Sequence, residues 1–283
     1  MASKSIVFIT GANTGIGLEA VKAFLQSPKA YAILLGGRNI DKANAAVRDM
    51  QAQFPDSPST VTSVQVDLED DNSISQAYDT ISKNYDRLDV LINNAGILPR
   101  MSIEEQTGTD SYLGAAFDGQ VAEGKLSVRE MWNKSWDLNT VGTHILTYTF
   151  IPLLLKSSDP RLLFITSGTS TLAESGDTSV PVNFSPPKGW PKQGFSVAAY
   201  RSSKTGMNMM VRDWVRVLKE DSVKIWAISP GFLATNLGGD QERNKKMGGG
   251  DPALGGTFIR EVVEGARDAD VGLVVRRGGV QPW

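Results

Sequence analysis

Short runs of consecutive apolar residues alternate along the chain with longer stretches in which apolar residues return every third or fourth position. Ile6-Val7-Phe8-Ile9 is the first such run; it ends in a glycine-rich turn, after which Ile16, Ala20, Phe24 and Leu25 recur at helical spacing. This pattern predicts strand, turn, helix. Pro28 ends the helix, and Tyr31 to Leu35 forms the next apolar run, closed by Gly36 and Gly37. The alternation continues with a helix over about Ile40 to Gln53, a strand over about Val61 to Val66, a helix carrying Ile74, Ala77 and Ile81, and a strand at Leu88 to Ile92. Arg161 to Thr166, Val223 to Ile228 and Val271 to Val275 read as further strands, and long helices are predicted over about Ser127 to Leu155, Val197 to Lys219 and Pro252 to Glu264.

Short apolar strands separated by helices of roughly 10 to 15 residues predict a parallel sheet with helices on both faces. Right-handed crossovers then give an α/β fold, a single doubly wound Rossmann-type parallel sheet of about seven strands in one domain over residues 1–283. Two stretches break the alternation, near 98–123 and 169–193, and the second holds Pro181, Pro186, Pro187 and Pro191. Irregular segments of that length inside a domain are usually functional or partly disordered. A third, Phe232 to Gly250, has glycines near both ends and is a candidate mobile lid.

Composition narrows the chemistry. The chain has 283 residues, 41% hydrophobic and 21% charged, with 29 Lys+Arg against 31 Asp+Glu and a formal charge of −2. That balance gives no reason to expect a nucleic acid or an anionic membrane as partner. With no cysteine there are no disulfides, thiolate metal sites or cysteine nucleophile. His144 is the only histidine; it cannot form a multi-histidine metal site, no metal is expected, and a packed or partly buried ring is the expectation. The four apolar residues before Thr10 are too few for a signal-peptide core or a membrane span, so a soluble, cytoplasmic protein is expected.

The turn after the first strand reads Thr10-Gly11-Ala12-Asn13-Thr14-Gly15-Ile16-Gly17. Glycines at Gly11, Gly15 and Gly17 let backbone approach a pyrophosphate lying on the N-terminus of the next helix, where free N–H groups carry partial positive charge. A plain tight turn is the alternative. After the second strand, where an acidic residue would hold a ribose 2′-OH, the chain has Gly36-Gly37-Arg38. Arg38 is placed to pair with a 2′-phosphate, or is a solvated loop arginine. Asp67, after the third strand, is a candidate acceptor from an adenine amino group, or a capping or surface acid beside Glu69, Asp70 and Asp71. Asn93-Asn94-Ala95-Gly96 closes the fourth strand; its small residues leave room for a cofactor ribose, and its amides can tie neighbouring strands together.

Tyr200-Arg201-Ser202-Ser203-Lys204 opens a long helix, and residues four apart share a helix face. A cation beside a phenol stabilises tyrosinate, as proton exchange with an alcohol or carbonyl oxygen requires. Ser167 ends the Leu162 to Thr166 strand at the sheet's carboxyl edge, where its hydroxyl can polarise a carbonyl. Asn139 lies inside a predicted helix that gains little from asparagine, so a role in placing a relay water is weighed against a tolerated residue. Trp132 and Trp136, at helical spacing, read as core packing, and Trp190 is a candidate pocket wall.

Thr-Gly-x-x-x-Gly-x-Gly at 10–17, Asn-Asn-Ala-Gly at 93–96, Asn139, Ser167, Tyr-x-x-x-Lys at 200–204 and Pro230-Gly231 occur in the order of the short-chain dehydrogenase/reductase family, which the chain resembles from Ile6 to at least Thr235. The segment Ala199 to Lys204, the stretch Asn236-Leu237-Gly238-Gly239 and the terminal Trp283 are most similar to sniffer-type carbonyl reductases and related fungal and bacterial members. The resemblance implies an NADP(H)-dependent oxidoreductase acting on a carbonyl or alcohol small molecule. Tyr200 would exchange the substrate proton, Lys204 would lower the pKa of Tyr200 and hold the nicotinamide ribose, Ser167 would orient the substrate oxygen, and Asn139 would support a water-linked relay. Pro230, Gly231, Leu233 and Thr235 would contact the nicotinamide end, and an arginine at the place of Arg38 accompanies NADP(H) preference.

Two departures accompany the resemblance: the intervals from Gly96 to Asn139 and from Ser167 to Tyr200 are long for the family. Some carbonyl reductases with an insertion before the tyrosine are monomers, so homo-oligomer and monomer both stay open. The insertions suggest a pocket for a bulky lipophilic ketone, aldehyde or quinone. Two other readings stand beside reduction: an isomerisation, dehydration or cyclisation on the same scaffold, and a catalytically silent NADP(H)-binding regulator.

Overall fold

The computed structural model describes residues 4–96, 127–190, 192, 197–237 and 241–283. Strands β1 (Ser5–Ile9), β2 (Tyr31–Gly37), β3 (Thr60–Gln65), β4 (Val90–Asn93), β5 (Arg161–Ile165), β6 (Lys224–Ile228) and β7 (Val274–Arg276) pair in parallel in the order β3-β2-β1-β4-β5-β6-β7. The order reverses between β1 and β4, so the first half winds one way and the second the other. The apolar strands are apolar at every position because both faces of the sheet are covered. Ile6 and Phe8 of β1, Leu162 and Phe164 of β5 and Ile225 and Ala227 of β6 face a core shared with α3 (Asp71–Asn84), α5 (Thr143–Leu154) and α6 (Ala198–Val217). Their neighbours Val7, Ile9, Leu163, Ile165, Trp226 and Ile228 face a second core built on α1 (Gly15–Leu25), α2 (Ile40–Gln53) and α8 (Pro252–Val263). Trp226 is fully buried and satisfies its indole N–H on the Arg267 carbonyl at 2.9 Å.

Four helices start on side chains that take up free backbone N–H groups: Asn39 caps α2, Asp70 caps α3, Ser127 forms a capping box with Glu130 on α4 (Val128–Trp136), and Asp251 caps α8. No helix among the described residues is long and apolar enough to cross a membrane.

Several expectations are corrected. The helix predicted over Ser127 to Leu155 is interrupted: α4 and α5 are joined by a π-helical turn, Asp137–Gly142. A side chain at Gly142 would run into the Leu68 carbonyl, so glycine lets this turn press against the end of the sheet. The last predicted strand starts later, at Val274, because Gly272 holds φ +84. It is followed by β8 (Gly279–Gln281), an eighth strand that runs antiparallel and escapes a pattern search because it is only 3 residues long. His144 is exposed rather than packed, its ring 5.3 Å from that of Trp214.

The irregular segments differ in outcome. The insertion near 98–123 lies outside the described residues, as do Pro191 and residue 193 of the second. Among its described residues the second makes the short 3-10 turn Pro181–Asn183, and Trp190 is 88% exposed. The candidate lid is tied down on its described residues. Leu233 bridges Gly250, and the buried Asn244, in α7 (Gln241–Lys246), donates to the carbonyls of Thr235 and Leu237 at 2.8 and 2.7 Å.

Candidate active site

The strand ends bring the singled-out residues to one edge of the sheet: Thr10 after β1, Gly37-Arg38 at β2, Asp67 beyond β3, Asn94 to Gly96 after β4, Ser167 after β5 and Pro230-Gly231 after β6. Ligands of open α/β sheets bind at this carboxyl edge, where the strand order reverses.

One half of the edge has the form of an anion cradle. Thr14 stands at the N-cap of α1 but makes no capping hydrogen bond, unlike the caps of α2, α3, α4 and α8, so the first-turn N–H groups face outward. Gly15 holds φ +58, a conformation that favours glycine, and the nearest atom to a side chain built there is Thr235 Cβ at 4.0 Å. Space therefore stays open between the turn and Thr235. Asn94 ties β4 to the turn, its amide donating to the carbonyls of Thr10 at 2.8 Å and Gly11 at 3.2 Å. Thr10 Oγ1 accepts the N–H groups of Asn94 and Ala95 at 3.1 and 2.9 Å. A side chain at Gly17 would collide with the Asn94 amide, which is why the helix can approach so closely.

Around this cradle the remaining residues take distinct places. Ile16 packs partly buried on the α1 core. Asn13 Oδ1 lies 3.2 Å from where a side chain at Gly37 would begin, and Arg38 is exposed just beyond. Asp67 is half-buried and accepts the Glu69 N–H at 3.1 Å; capping of α3 falls to Asp70, so Asp67 is not the cap. Pro230, Leu233 and Thr235 are buried, and Gly231 holds φ +95 on the exposed surface. An uncapped helix start behind an open glycine turn suits the pyrophosphate of a dinucleotide.

The other half gathers Asn139, Ser167, Tyr200 and Lys204. Tyr200 and Lys204 lie in the first two turns of α6. Burial holds the Tyr200 phenol above its ordinary pKa, and the nearby Ser167 hydroxyl acts in the lowering sense; Ser167 Oγ is itself hydrogen-bonded to Thr169 Oγ1 at 2.9 Å. The lowering expected from Lys204 is not seen. The Lys204 ammonium, 4% exposed, donates instead to the Ile165 carbonyl at 2.8 Å, and burial pulls its own pKa down to about 8. A side chain at Gly96 would sit 2.9 Å from Lys204 Nζ and 3.2 Å from Asn139 Oδ1, so Gly96, Lys204 and Asn139 share one corner. Asn139, fully buried in the π-helical turn, donates to Ser203 Oγ at 2.9 Å, while its Oδ1 has no partner among the described residues. A π-helical turn of this kind often marks a functional site.

The sequence reading missed the residues that hold this set. Ser203 links Asn139 to α6, its hydroxyl donating a hydrogen bond to the Tyr200 carbonyl at 2.9 Å. Gln281 of β8 donates to the Ser167 carbonyl at 3.2 Å. Asn208 bonds to Thr166 and Ser170 on either side of Ser167. For Asn208 a signal existed: it is an asparagine inside a helix, four residues beyond Lys204 and eight beyond Tyr200. Among the described residues no group of three or more His, Asp or Glu could hold a metal ion.

Fold and edge together define a nucleotide-binding α/β protein with a Tyr-x-x-x-Lys helix. The family described as short chain dehydrogenase matches residues 5–179. The chain is 40% identical over 289 residues to the short-chain dehydrogenase/reductase tropE of Talaromyces stipitatus, covering 100% of this chain and 99% of that protein. It is 41% identical over 290 residues to the short-chain dehydrogenase/reductase eupG of a Phoma species, covering 99% and 98%. Its fold is similar to that of an NADPH-bound carbonyl reductase from chicken fatty liver, with TM-score 0.72, 20% identity and 99% of both chains covered. The chain belongs to the short-chain dehydrogenase/reductase family of oxidoreductases.

Proposed function

We propose that the protein transfers hydride between NADP(H) and a carbonyl or alcohol substrate, with reduction of a lipophilic ketone, aldehyde or quinone as the working direction. The observation that carries this reading is the corner shared by Lys204, Asn139 and Gly96, one helical turn from Tyr200 and beside the glycine cradle, with the Ser167 hydroxyl near the phenol. Arg38, in a sequence with no carboxylate among the residues that close β2, supports NADP(H) over NAD(H). The substrate class is supported by the segment that begins just after Ser167, which carries exposed Leu172, Val180, Phe184 and Trp190. A cavity of about 480 Å³ among Trp136, Leu172, Arg201 and Met209 lies on the outer side of α6; Ser167 and Tyr200 do not line it, so it is not assigned to the substrate.

A nicotinamide cofactor held on the turn of Gly11, Gly15 and Gly17 would supply or take the hydride. Ser167 orients the substrate oxygen toward the Tyr200 hydroxyl. With its pKa held up by burial, Tyr200 is protonated at neutral pH and gives its proton to that oxygen as negative charge builds there, leaving an alcohol. Lys204, one helical turn on, stands at the corner shared with Gly96 and Asn139, where it would hold the nicotinamide ribose. Asn139 offers its Oδ1, without a partner among the described residues, to a water at the Lys204 corner, through which the proton is returned.

The test is a panel of ketones, aldehydes and quinones with NADPH carrying deuterium at C4, followed by mass analysis of the alcohols. Deuterium on the new carbinol carbon is expected. Tyr200→Phe should lose turnover by about 10²- to 10⁴-fold while NADPH still stabilises it against heat. Near-normal turnover in that variant, or product formed without cofactor, would remove this reading.

A further inference from the structure

The side of α6 next to its Tyr200 and Lys204 face grips the turn that carries Ser167. Arg201, Thr205 and Asn208 recur at helical spacing along it. Arg201 Nε donates to the Thr169 carbonyl at 2.9 Å, and Thr205 Oγ1 to the Ser170 carbonyl at 2.9 Å. Asn208 goes deepest. It accepts the Thr166 hydroxyl at 2.6 Å through Oδ1 and donates from Nδ2 to Ser170 Oγ at 3.1 Å, and Ser170 Oγ in turn donates to the Ser167 carbonyl at 2.7 Å. Thr166, Ser170 and Asn208 are 3%, 1% and 4% exposed, so water cannot replace a lost partner without cost.

We propose that Asn208 is a positioning residue for Ser167: through Ser170 it fixes the turn that presents the Ser167 hydroxyl, so that α6 holds both Tyr200 and the group that aligns the substrate to it. Each bond in the relay leads toward Ser167, and its neighbours Thr166 and Ser170 are the residues Asn208 touches on either side. Gln281 supports the same Ser167 carbonyl from β8 at 3.2 Å; of the contacts from α6, Arg201 and Thr205 hold Thr169 and Ser170 by their carbonyls, and the Asn208 relay is the one that ends on Ser167. The inference rests on the reading in which Ser167 and Tyr200 act on the substrate.

A double-mutant cycle separates positioning from plain stability. Asn208→Ala, Ser167→Ala and the pair are compared for kcat with a carbonyl compound the parent reduces, for NADPH affinity and for thermal unfolding. Ser167→Ala is expected to lower kcat about 100-fold. Asn208→Ala is expected to lower it about tenfold with NADPH affinity within about twofold, yet to cost less than about twofold once Ser167 is already alanine. An equal loss in both backgrounds, or none in the parent, would overturn the inference. If Ser167→Ala proves slow while Asn208→Ala is fast, only this inference fails; if Ser167→Ala is itself fast, the role of Ser167 fails with it. Should Asn208→Ala not fold, Ser170→Ala removes the same relay and carries the same test.

Discussion

Replacing Lys204 by methionine should change stability with a pH dependence that the parent protein does not share. Lys204 is 4% exposed, its ammonium is held by a backbone carbonyl and not by a carboxylate, and burial moves its pKa from 10.5 to about 8. A drop of that size, at about 1.4 kcal/mol per unit, means that keeping the charge inside costs about 3 kcal/mol near neutral pH. Below about 8 both folded and unfolded chains bind the proton and the cost is full; between about 8 and 10.5 only the unfolded chain binds it, and the parent gains stability as pH rises. Methionine carries no such cost. The difference in unfolding free energy, variant minus parent, should therefore fall by about 2–3 kcal/mol between pH 7 and pH 10. Leaving the Ile165 carbonyl without its donor subtracts about 1–3 kcal/mol from the variant, but equally at every pH. Urea unfolding of both proteins at a series of pH values reads the difference directly. A gap that stays constant from pH 7 to pH 10 would show that Lys204 is not carried as a costly buried charge. A gap that narrows as described would mark Lys204 as a residue kept at the expense of stability, as groups that serve chemistry often are.

Arg201 should act locally. Its guanidinium also donates to the Val182 carbonyl at 3.2 Å and to Asn183 Oδ1 at 2.8 Å, so Arg201→Met should speed protease cleavage within 170–190 many-fold while the thermal midpoint moves little; unchanged cleavage would show that other contacts hold this segment. Asp268 pairs bidentately with the buried Arg161 at 2.7 and 2.9 Å and with Lys224 at 2.8 Å. Arg161 and Lys224 hold its pKa down to about 2, so its stabilisation is full above the unfolded value of 3.8 and is lost as pH falls toward about 2. Because the Asp268 side chain is 36% exposed and Asp159 also pairs with Arg161, Asp268→Asn should cost only about 1–2 kcal/mol at pH 7, and less on acidification below pH 4; a cost that does not shrink would refute the ion-pair account.

Much of the fold was legible because doubly wound sheets write strands as unbroken apolar runs. Ile6 to Ile9 and Leu162 to Ile165 each feed two cores, so no polar position interrupts them. What was not legible depends on contacts between distant segments. The π-helical turn at Asp137–Gly142 has an ordinary helical pattern, and only the approach of Gly142 to Leu68 reveals why the helix is broken there. In β8, 3 residues form a strand solely because β7 lies beside them. The site divides in the same way: Tyr200, Lys204 and the glycine turn stand in fixed spacings, whereas Ser203, Asn208 and Gln281 matter through partners far along the chain. The orientation of Lys204 toward Ile165, away from a direct role in lowering the Tyr200 pKa, could not be read from a four-residue spacing.

The central claim is that the edge of this sheet binds NADP(H) in a form ready to exchange hydride with a carbonyl. The most direct measurement is the shift in thermal unfolding on adding NADPH or NADH to the parent and to Arg38→Ala. A ligand at about 100 times its dissociation constant adds about 2.7 kcal/mol of stability, or roughly 5 °C for a chain of this size. The account predicts a shift of that order with NADPH, a clearly smaller one with NADH, and loss of the difference in Arg38→Ala. Equal shifts with both cofactors would withdraw the role of Arg38, and no shift with either would contradict the claim itself.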